Sequence, residues 1–296
     1  MSSLARARVS PLVRLIAGAA TVSSAPVFVR VVNVPPTDSA FYRTLLGGLI
    51  LVVLIRARNE KLFAGRAALA ALVAAGAFFA ADLWAWHRSI WIVGPGLATL
   101  LANFQVFFLA LAGLALFGER FRWQLAAGIP LALAGLSLIV GFDWTELGAD
   151  YSWGIGYGLL TAVFYAGYLL SLRRARMRAS GSSPLGDMAV VSLISAALLG
   201  ISAMVEGGVP VIPTVMDGTL LLAYAAVAQV LGWVLISSAL RHVPASSVGL
   251  ILLLQPTLAF VWDVIFFARP FGVHEAVGAA LTLFAIWLGS RGAGRD

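Results

Sequence analysis

The sequence predicts an all-α integral membrane protein, with ten transmembrane helices forming two inverted five-helix repeats around a central cavity. Three observations predict it. Of the 296 residues, 61% are hydrophobic and only 11% charged, against about 25% charged in a soluble domain. The apolar residues fall into ten runs, each near the ~20 residues a helix needs to cross a bilayer. The two halves of the chain also resemble one another, and an odd number of spans per half turns the second half upside down.

The first span, 11–31, follows an Arg-rich start that has the order of a signal peptide: basic, apolar, then small. The apolar run carries on through PVFVR and the repeat needs this helix, so it reads as a retained span, interrupted by Pro26 after TVSS. Proline there removes a backbone donor and frees a carbonyl. The second span, 38–56, carries Arg43 a little over a turn inside its outer end. The third, 67–88, places Asp82 among Ala, Phe and Trp. The fourth, 95–117, holds Asn103 and Gln105 near mid-membrane. The fifth, 122–141, has the Gly and Ala content that lets helices approach closely. The sixth, 152–173, contains Tyr165 and Tyr168, and the seventh, 186–206, is almost wholly apolar. The eighth, 217–240, holds Gln229 and Trp233, and the ninth, 244–267, holds Gln255, Pro256 and Asp263. The tenth, 272–290, opens with Glu275, where the helix dipole favours an acid. Connections are short and leave no room for a soluble domain.

Laying LLANFQVFF (100–108) over LILLLQPTL (250–258) puts Gln105 on Gln255 and Leu100 on Leu250 without a gap. The same register matches Val93 with Val243, Phe117 with Phe267, Gly128 with Gly278 and Leu131 with Leu281. The expected organisation is an N-terminal repeat over 1–141, an external linker over 142–150 and a C-terminal repeat over 151–296. Inverted repeats of this kind place a binding site near the bilayer midplane, between the halves.

The net charge is +7 and the sequence pI about 10.5, yet nucleic acid is not the expected partner. The excess is nearly all Arg, clustered between apolar runs as juxtamembrane charge is. With a cytoplasmic N-terminus the inner segments collect Arg6, Arg8, Arg14, Arg56, Arg58, Lys61, Arg66, Arg120, Arg122, Arg173, Arg174, Arg176, Arg178, Arg241, Arg291 and Arg295. The outer segments collect Asp38, Asp143, Glu146, Asp150, Glu206 and Asp217. Both termini are therefore expected in the cytoplasm, and the protein in a bacterial-type inner (plasma) membrane.

There is no Cys, which excludes disulfides and thiolate chemistry. The chain has no HExxH, no GxSxG and no Cys/His metal cluster, and its three His are scattered. Neither an enzyme nor a bound metal or cofactor is expected. A channel would repeat rings of polar groups, and only the Gln105/Gln255 pair is duplicated.

Ionisable groups inside a span face a cavity or a partner. Arg43 lies at a depth similar to Asp82 on the neighbouring helix. The two read either as a structural ion pair or as a pair lining the cavity that opens to a substrate's charged groups. Gln105 and Gln255 read either as an interhelical hydrogen bond between the halves or as groups on either side of the site; Gln229 is a third mid-span amide, and Asn103 points elsewhere on its helix. Phe78, Phe79, Trp84, Trp86, Tyr165, Tyr168, Tyr224 and Trp233 are the deeper aromatics; most read as packing, and Phe79, Trp86, Tyr165 and Tyr168 are the ones suited to stacking on an apolar or aromatic side chain. Trp123 and Trp153 read as interface anchors, as do His87 and His242 at span ends. Asp263 beside Trp262 reads as reaching the interface.

PPTDSAFYRTLLGGLILVVL, LALFGERFRWQLAAGIPLALAGLSLIV and ALRHVPASSVGLILLLQPTLAFVWDVIFF together resemble the drug/metabolite transporter superfamily in its ten-helix EamA-like form. Arg43 stands at the expected Arg and Pro256 at the usual polar–proline step. Two places depart: FFARPFGVHE carries Arg269 where the pattern has Glu, and Phe104–Gln105 lacks the proline. The resemblance implies that spans one, three, four, six, eight and nine surround the cavity, with five and ten peripheral. It implies a secondary transporter exporting small metabolites, foremost neutral or aromatic amino acids, by alternating access. Protons are a candidate coupling ion and the lipid bilayer is the other partner. Nucleotide sugars or phosphate esters are the rival cargo; they need several cations, and Arg43 is the only Arg placed well inside a span.

Overall fold

In the computed structural model the described residues are 9–60, 62, 65–120, 122–140, 151–178, 183–268 and 272–291. The linker 142–150, with Asp143, Glu146 and Asp150, lies outside them, as do Arg6, Arg8, Lys61, Arg269 and Arg295. The described chain is helical, without strands. Ten helices are long and apolar enough to cross a membrane: helix 1 (Pro11–Val31), helix 2 (Pro36–Ala57), helix 3 (Ala68–Ile90), helix 4 (Ala98–Phe117), helix 5 (Trp123–Val140), helix 6 (Tyr151–Arg178), helix 7 (Pro184–Gly207), helix 8 (Val215–Ala239), helix 9 (Ala245–Phe267) and helix 10 (Val273–Ser290). The largest departure from the expected spans is helix 6, which runs to Arg178. Its last turns stay helical because Arg173 and Arg176 find partners there, described below.

Among the helix contacts are 5 with 10, 2 with 7, 4 with 9, 3 with 6 and 1 with 8. Exchanging the halves turns helix 1 into 6, 2 into 7, 3 into 8, 4 into 9 and 5 into 10. Under that exchange the first three contacts map onto themselves and the last two onto each other, as a two-fold relation between halves requires. Helices 5 and 10 meet backbone to backbone. A Cβ on Gly135 would fall 2.6 Å from the Gly278 carbonyl oxygen, and one on Gly278 only 2.5 Å from that of Gly135. Thr282 Oγ1 donates to Gly278 O at 2.9 Å and to Ala132 O at 3.3 Å. Small residues let helices close to this range in lipid. Trp123, Phe284 and Trp287 point outward and are exposed, as is Trp153 on helix 6.

Three helices are broken and one is distorted. Helix 1 divides into Pro11–Val22 and Ala25–Val31, with Pro26 in the first turn of the second piece. Helix 4 breaks at Asn103–Phe104 and helix 9 at Leu253. These last two breaks are repeat-equivalent, although only helix 9 has a nearby proline. In helix 8 the segment Ala225–Gly232 is π-helical. Helical hydrogen bonding also continues from Arg66 to Ala102, through the expected turn between helices 3 and 4. The chain still reverses there. A Cβ on Gly158 would touch both Leu101 and Ser89, residues that a straight helix would hold about 18 Å apart.

The Gly118–Glu119 step has a structural purpose. Gly118 takes a left-handed conformation (φ 63°) and ends helix 4. The Glu119 carboxylate then accepts from the backbone N–H of Ala245 at 2.5 Å and of Ser246 at 3.3 Å, and from Ser246 Oγ at 2.5 Å. Helix 9 opens after Pro244, which has no capping side chain, so Glu119 from the other half serves as its cap. Arg173 lies 3.9 Å from Glu119 and donates to the Val243 carbonyl. Arg176 and Asp187 form a buried pair at 2.8 Å between helices 6 and 7. His242, in the exposed turn after helix 8, is held below its ordinary pKa by partial burial and by the Arg241, Arg14 and Arg176 charges.

At the opposite end Glu206 accepts from Thr37 Oγ1 at 3.0 Å and Arg88 Nη2 at 2.9 Å. Asp217 accepts from the Asn33 N–H at 3.0 Å. Asp263 does not simply reach the surface: it lies 3.6 Å from Arg30 of helix 1. His87 is buried rather than interfacial. Glu275 accepts from the Gly272 N–H at 2.8 Å, a capping arrangement at the start of helix 10.

Candidate functional site

Arg43 is the starting point. It is 5% exposed and reaches from helix 2 to helix 8. Its Nε donates to Gln229 Oε1 at 2.9 Å and its Nη1 to the Tyr224 hydroxyl at 2.9 Å. Gln229 Nε2 in turn donates to Ser192 Oγ at 2.9 Å, so helices 2, 7 and 8 share one chain of hydrogen bonds. Residues five apart on an α-helix point about 140° apart. The π turn, which closes on i→i+5, brings Tyr224 and Gln229 round to the same guanidinium. Gly47, one turn along helix 2 from Arg43, leaves the room: a Cβ there would sit 2.6 Å from Gln229 Cγ.

Beside this chain stands an aromatic group. Phe79 of helix 3 stacks on Tyr168 of helix 6 at 4.6 Å. Trp233 of helix 8 meets Tyr168 at 4.9 Å, Phe79 at 5.5 Å and Tyr165 at 6.2 Å, each edge to face. The Arg43 Cζ lies 5.6 Å from the Phe79 ring centroid and 5.0 Å from that of Tyr224, within cation–π range. Tyr165 extends the group to helix 9, where its hydroxyl is 3.5 Å from Gln255 Oε1.

Asp82 lies one turn beyond Phe79 on helix 3 and is 8% exposed. The expected Asp82–Arg43 ion pair does not form. No described residue makes an ion pair with Asp82 within the salt-bridge distance, although Arg43 is near enough for its charge to act on the carboxylate. The reason is competition. Two neutral acceptors on helix 8 hold the guanidinium through Nε and Nη1, and Nη2 makes no hydrogen bond among the described residues. A cation and an anion thus lie on buried side chains in an aromatic setting without neutralising each other by contact.

The remaining sequence candidates divide. Phe79, Tyr165, Tyr168, Gln229 and Gln255 join Arg43 in one connected group. Gln105 does not: it is fully buried in the seam between helices 4 and 9, with Nε2 donating to Gly249 O at 3.3 Å and Oε1 without a partner. Of the two readings of the glutamines, Gln105 has the geometry of an interhelical hydrogen bond between the halves, while Gln255 adjoins Tyr165. Trp86 is half-buried, and its ring neighbour is the adjacent His87 at 5.2 Å. Two members of the group were read from the sequence only as deep aromatics and were not assigned to the site. Trp233 is one α-helical turn beyond Gln229, a spacing that could have suggested it; Tyr224 could be placed only with the π turn known. Among the described residues no group of three or more His, Cys, Asp or Glu is placed to hold a metal ion.

The profile of the EamA-like transporter family matches the chain twice, over residues 10–141 and 152–291. Among curated proteins no sequence matches. Among the solved structures that are similar is one protein crystal structure with a TM-score of 0.83 over 98% of this chain and 100% of that one, at 18% identity. That likeness shows the fold.

Proposed function

The chain belongs to the EamA-like transporter family, within the drug/metabolite transporter superfamily, and from that premise we propose that it exports neutral or aromatic amino acids by alternating access. One observation carries the choice of cargo: the carboxylate of Asp82 and Nη2 of Arg43, on side chains 8% and 5% exposed, have no bonded partner among the described residues and stand beside a group of four rings. A lone carboxylate inside a span is penalised by roughly 2.5–3.5 kcal/mol on insertion scales. An amino acid answers both charges. Its ammonium goes to Asp82, its carboxylate to Arg43 Nη2, and its side chain to Phe79, Tyr165, Tyr168 and Trp233. Gln229 and Tyr224 hold Arg43 in place without neutralising it. A single deep Arg is a poor match for phosphate esters, which need several cations.

Asp82 is also the group that carries the coupling proton in this reading. When substrate leaves outward, Asp82 takes one proton from outside; that proton is released to the cytoplasm before the next substrate binds. Both termini are cytoplasmic, repeats 1–141 and 151–296 face opposite ways across an inner membrane, and 142–150 is external. The Arg distribution supports this topology. Labelling tests it, since the parent has no Cys: a Ser152→Cys variant should react only with external reagent, and labelling only from the cytoplasm overturns the topology.

The function is tested by flux in proteoliposomes across amino acids, sugars and nucleotides. Wild-type protein should carry neutral and aromatic amino acids and acidify the compartment that substrate leaves. Asp82→Asn and Arg43→Gln should each fold, with a melting temperature near that of the parent, and lose flux; the double variant should not recover it. A double variant that transports normally would make the two residues structural. Transport of nucleotide sugars or phosphate esters in place of amino acids would overturn the choice of cargo.

A further inference from the structure

Resting on that reading of the site, we propose that Trp233 selects cargo whose side chain carries a hydrogen-bond acceptor on a flat ring, with Gln255 as a second donor. Trp233 is 2% exposed, and its Nε1–H, which can only donate, has no acceptor. Gln255 Nε2 is likewise buried and unpartnered, while Oε1 of the same amide faces the Tyr165 hydroxyl. Both residues adjoin Tyr165, Trp233 from helix 8 and Gln255 from helix 9. Neither donor nitrogen is reached by solvent in this state.

Buried polar groups in folded proteins are almost always paired. The indole fills its place among Phe79, Tyr165 and Tyr168, but its Nε1–H gains nothing from that packing and is left as an unmet donor. The two charges of an amino acid are met by Asp82 and Arg43, which leaves these donors for the far end of the side chain. A hydroxyl or carbonyl on a ring seated among the aromatics would accept from them. A ring without one would leave them unpaired, and a site built to hydrogen-bond its ligand discriminates strongly against an analogue lacking that group. The amide of Gln255 has two orientations, of which only the one accepting from Tyr165 offers a donor; the indole has no such freedom, and Trp233 is the principal residue.

The test uses the full-length protein in vesicles of phosphatidylethanolamine and phosphatidylglycerol, with labelled L-tyrosine and L-phenylalanine as paired probes. Wild-type kcat/KM should favour L-tyrosine by at least about tenfold. The readout is the L-tyrosine to L-phenylalanine ratio within each variant, whatever its absolute rate: Trp233→Phe should lose most of the preference, and Gln255→Leu should lose part of it. Equal handling of the two probes by the wild type, a comparison that depends on no variant folding, overturns the inference and leaves the amino-acid reading standing. So does a Trp233→Phe protein that keeps the preference, since a buried water or packing then accounts for the indole. Absence of flux for every amino acid overturns the amino-acid reading and this inference together.

Discussion

Arg176 and Asp187 lie 2.8 Å apart and buried between helices 6 and 7, while Arg43 and Asp82, buried at 5% and 8% exposure, are not bonded to each other. The first pair is what a structural ion pair looks like in this molecule: adjacent helices, direct contact, little water. Had Asp82 the same purpose, nothing in the reach of Arg43 prevents the contact except Gln229 and Tyr224, which hold the guanidinium elsewhere. Helix 8 spends a π-helical segment on that hold, and such segments recur at functional sites. The difference teaches that burial of opposite charges does not by itself mean pairing. What the neutral neighbours do to each charge decides whether it is available.

The comparison breaks most visibly in stability. Asp187→Ala breaks the buried pair with Arg176, and breaking a buried pair by removing one partner typically costs about 3–5 kcal/mol. It should lower the melting temperature sharply and reduce the folded yield in membranes. Asp82→Asn removes a carboxylate with no contact partner and should leave the melting temperature near that of the parent while abolishing amino-acid flux. If Asp82→Asn unfolds the protein as Asp187→Ala does, the two sites are alike and the contrast is lost.

An intermediate effect is expected at Gly47, which touches neither charge. Its missing Cβ leaves space for the Gln229 side chain. Gly47→Ala pushes that amide away from Arg43 and Ser192, and overpacking of this kind costs about 1–3 kcal/mol. The loosened guanidinium should show as a raised KM for amino acids with a smaller change in kcat. A Gly47→Ala protein with unchanged KM means that Gln229 does not position Arg43 for cargo.

These cases show what hydropathy could and could not convey. The ten spans were readable because each must match the bilayer in length, and the deep charges because few polar groups occur inside spans at all. The Arg43 partners were not readable. Two residues five apart do not share a face of an α-helix, and nothing in AYAAVAQVLG announces a π turn. The break in helix 4 was equally silent, since it has no proline, and the continuity of hydrogen bonding past residue 90 was hidden by the Gly and Pro of VGPGL. Asp82 was legible as a residue needing an answer, but its answer depended on where a neutral amide on helix 8 pointed.

The smallest expected effect separates the two glutamines, which occupy equivalent places in the two halves. Gln105 makes one long hydrogen bond, at 3.3 Å, to the Gly249 carbonyl and has an unpartnered Oε1. Gln105→Leu removes that weak bond together with the unmet acceptor. A typical hydrogen bond contributes only about 0.5–1.5 kcal/mol net, and replacing an imperfectly satisfied polar group by an apolar one of similar shape can be nearly neutral. The expected melting temperature is therefore within a few degrees of the parent, with flux retained, because Gln105 sits in the helix 4–9 seam and not against the rings. Gln255→Leu should also be near-neutral in stability, since its contact with Tyr165 at 3.5 Å is at the limit of a hydrogen bond. It differs in lowering transport, because its side chain adjoins Tyr165. Melting curves and flux measured side by side decide the matter. Equal loss of flux in both variants would put the two amides back on opposite sides of one site and remove the asymmetry drawn here between the halves.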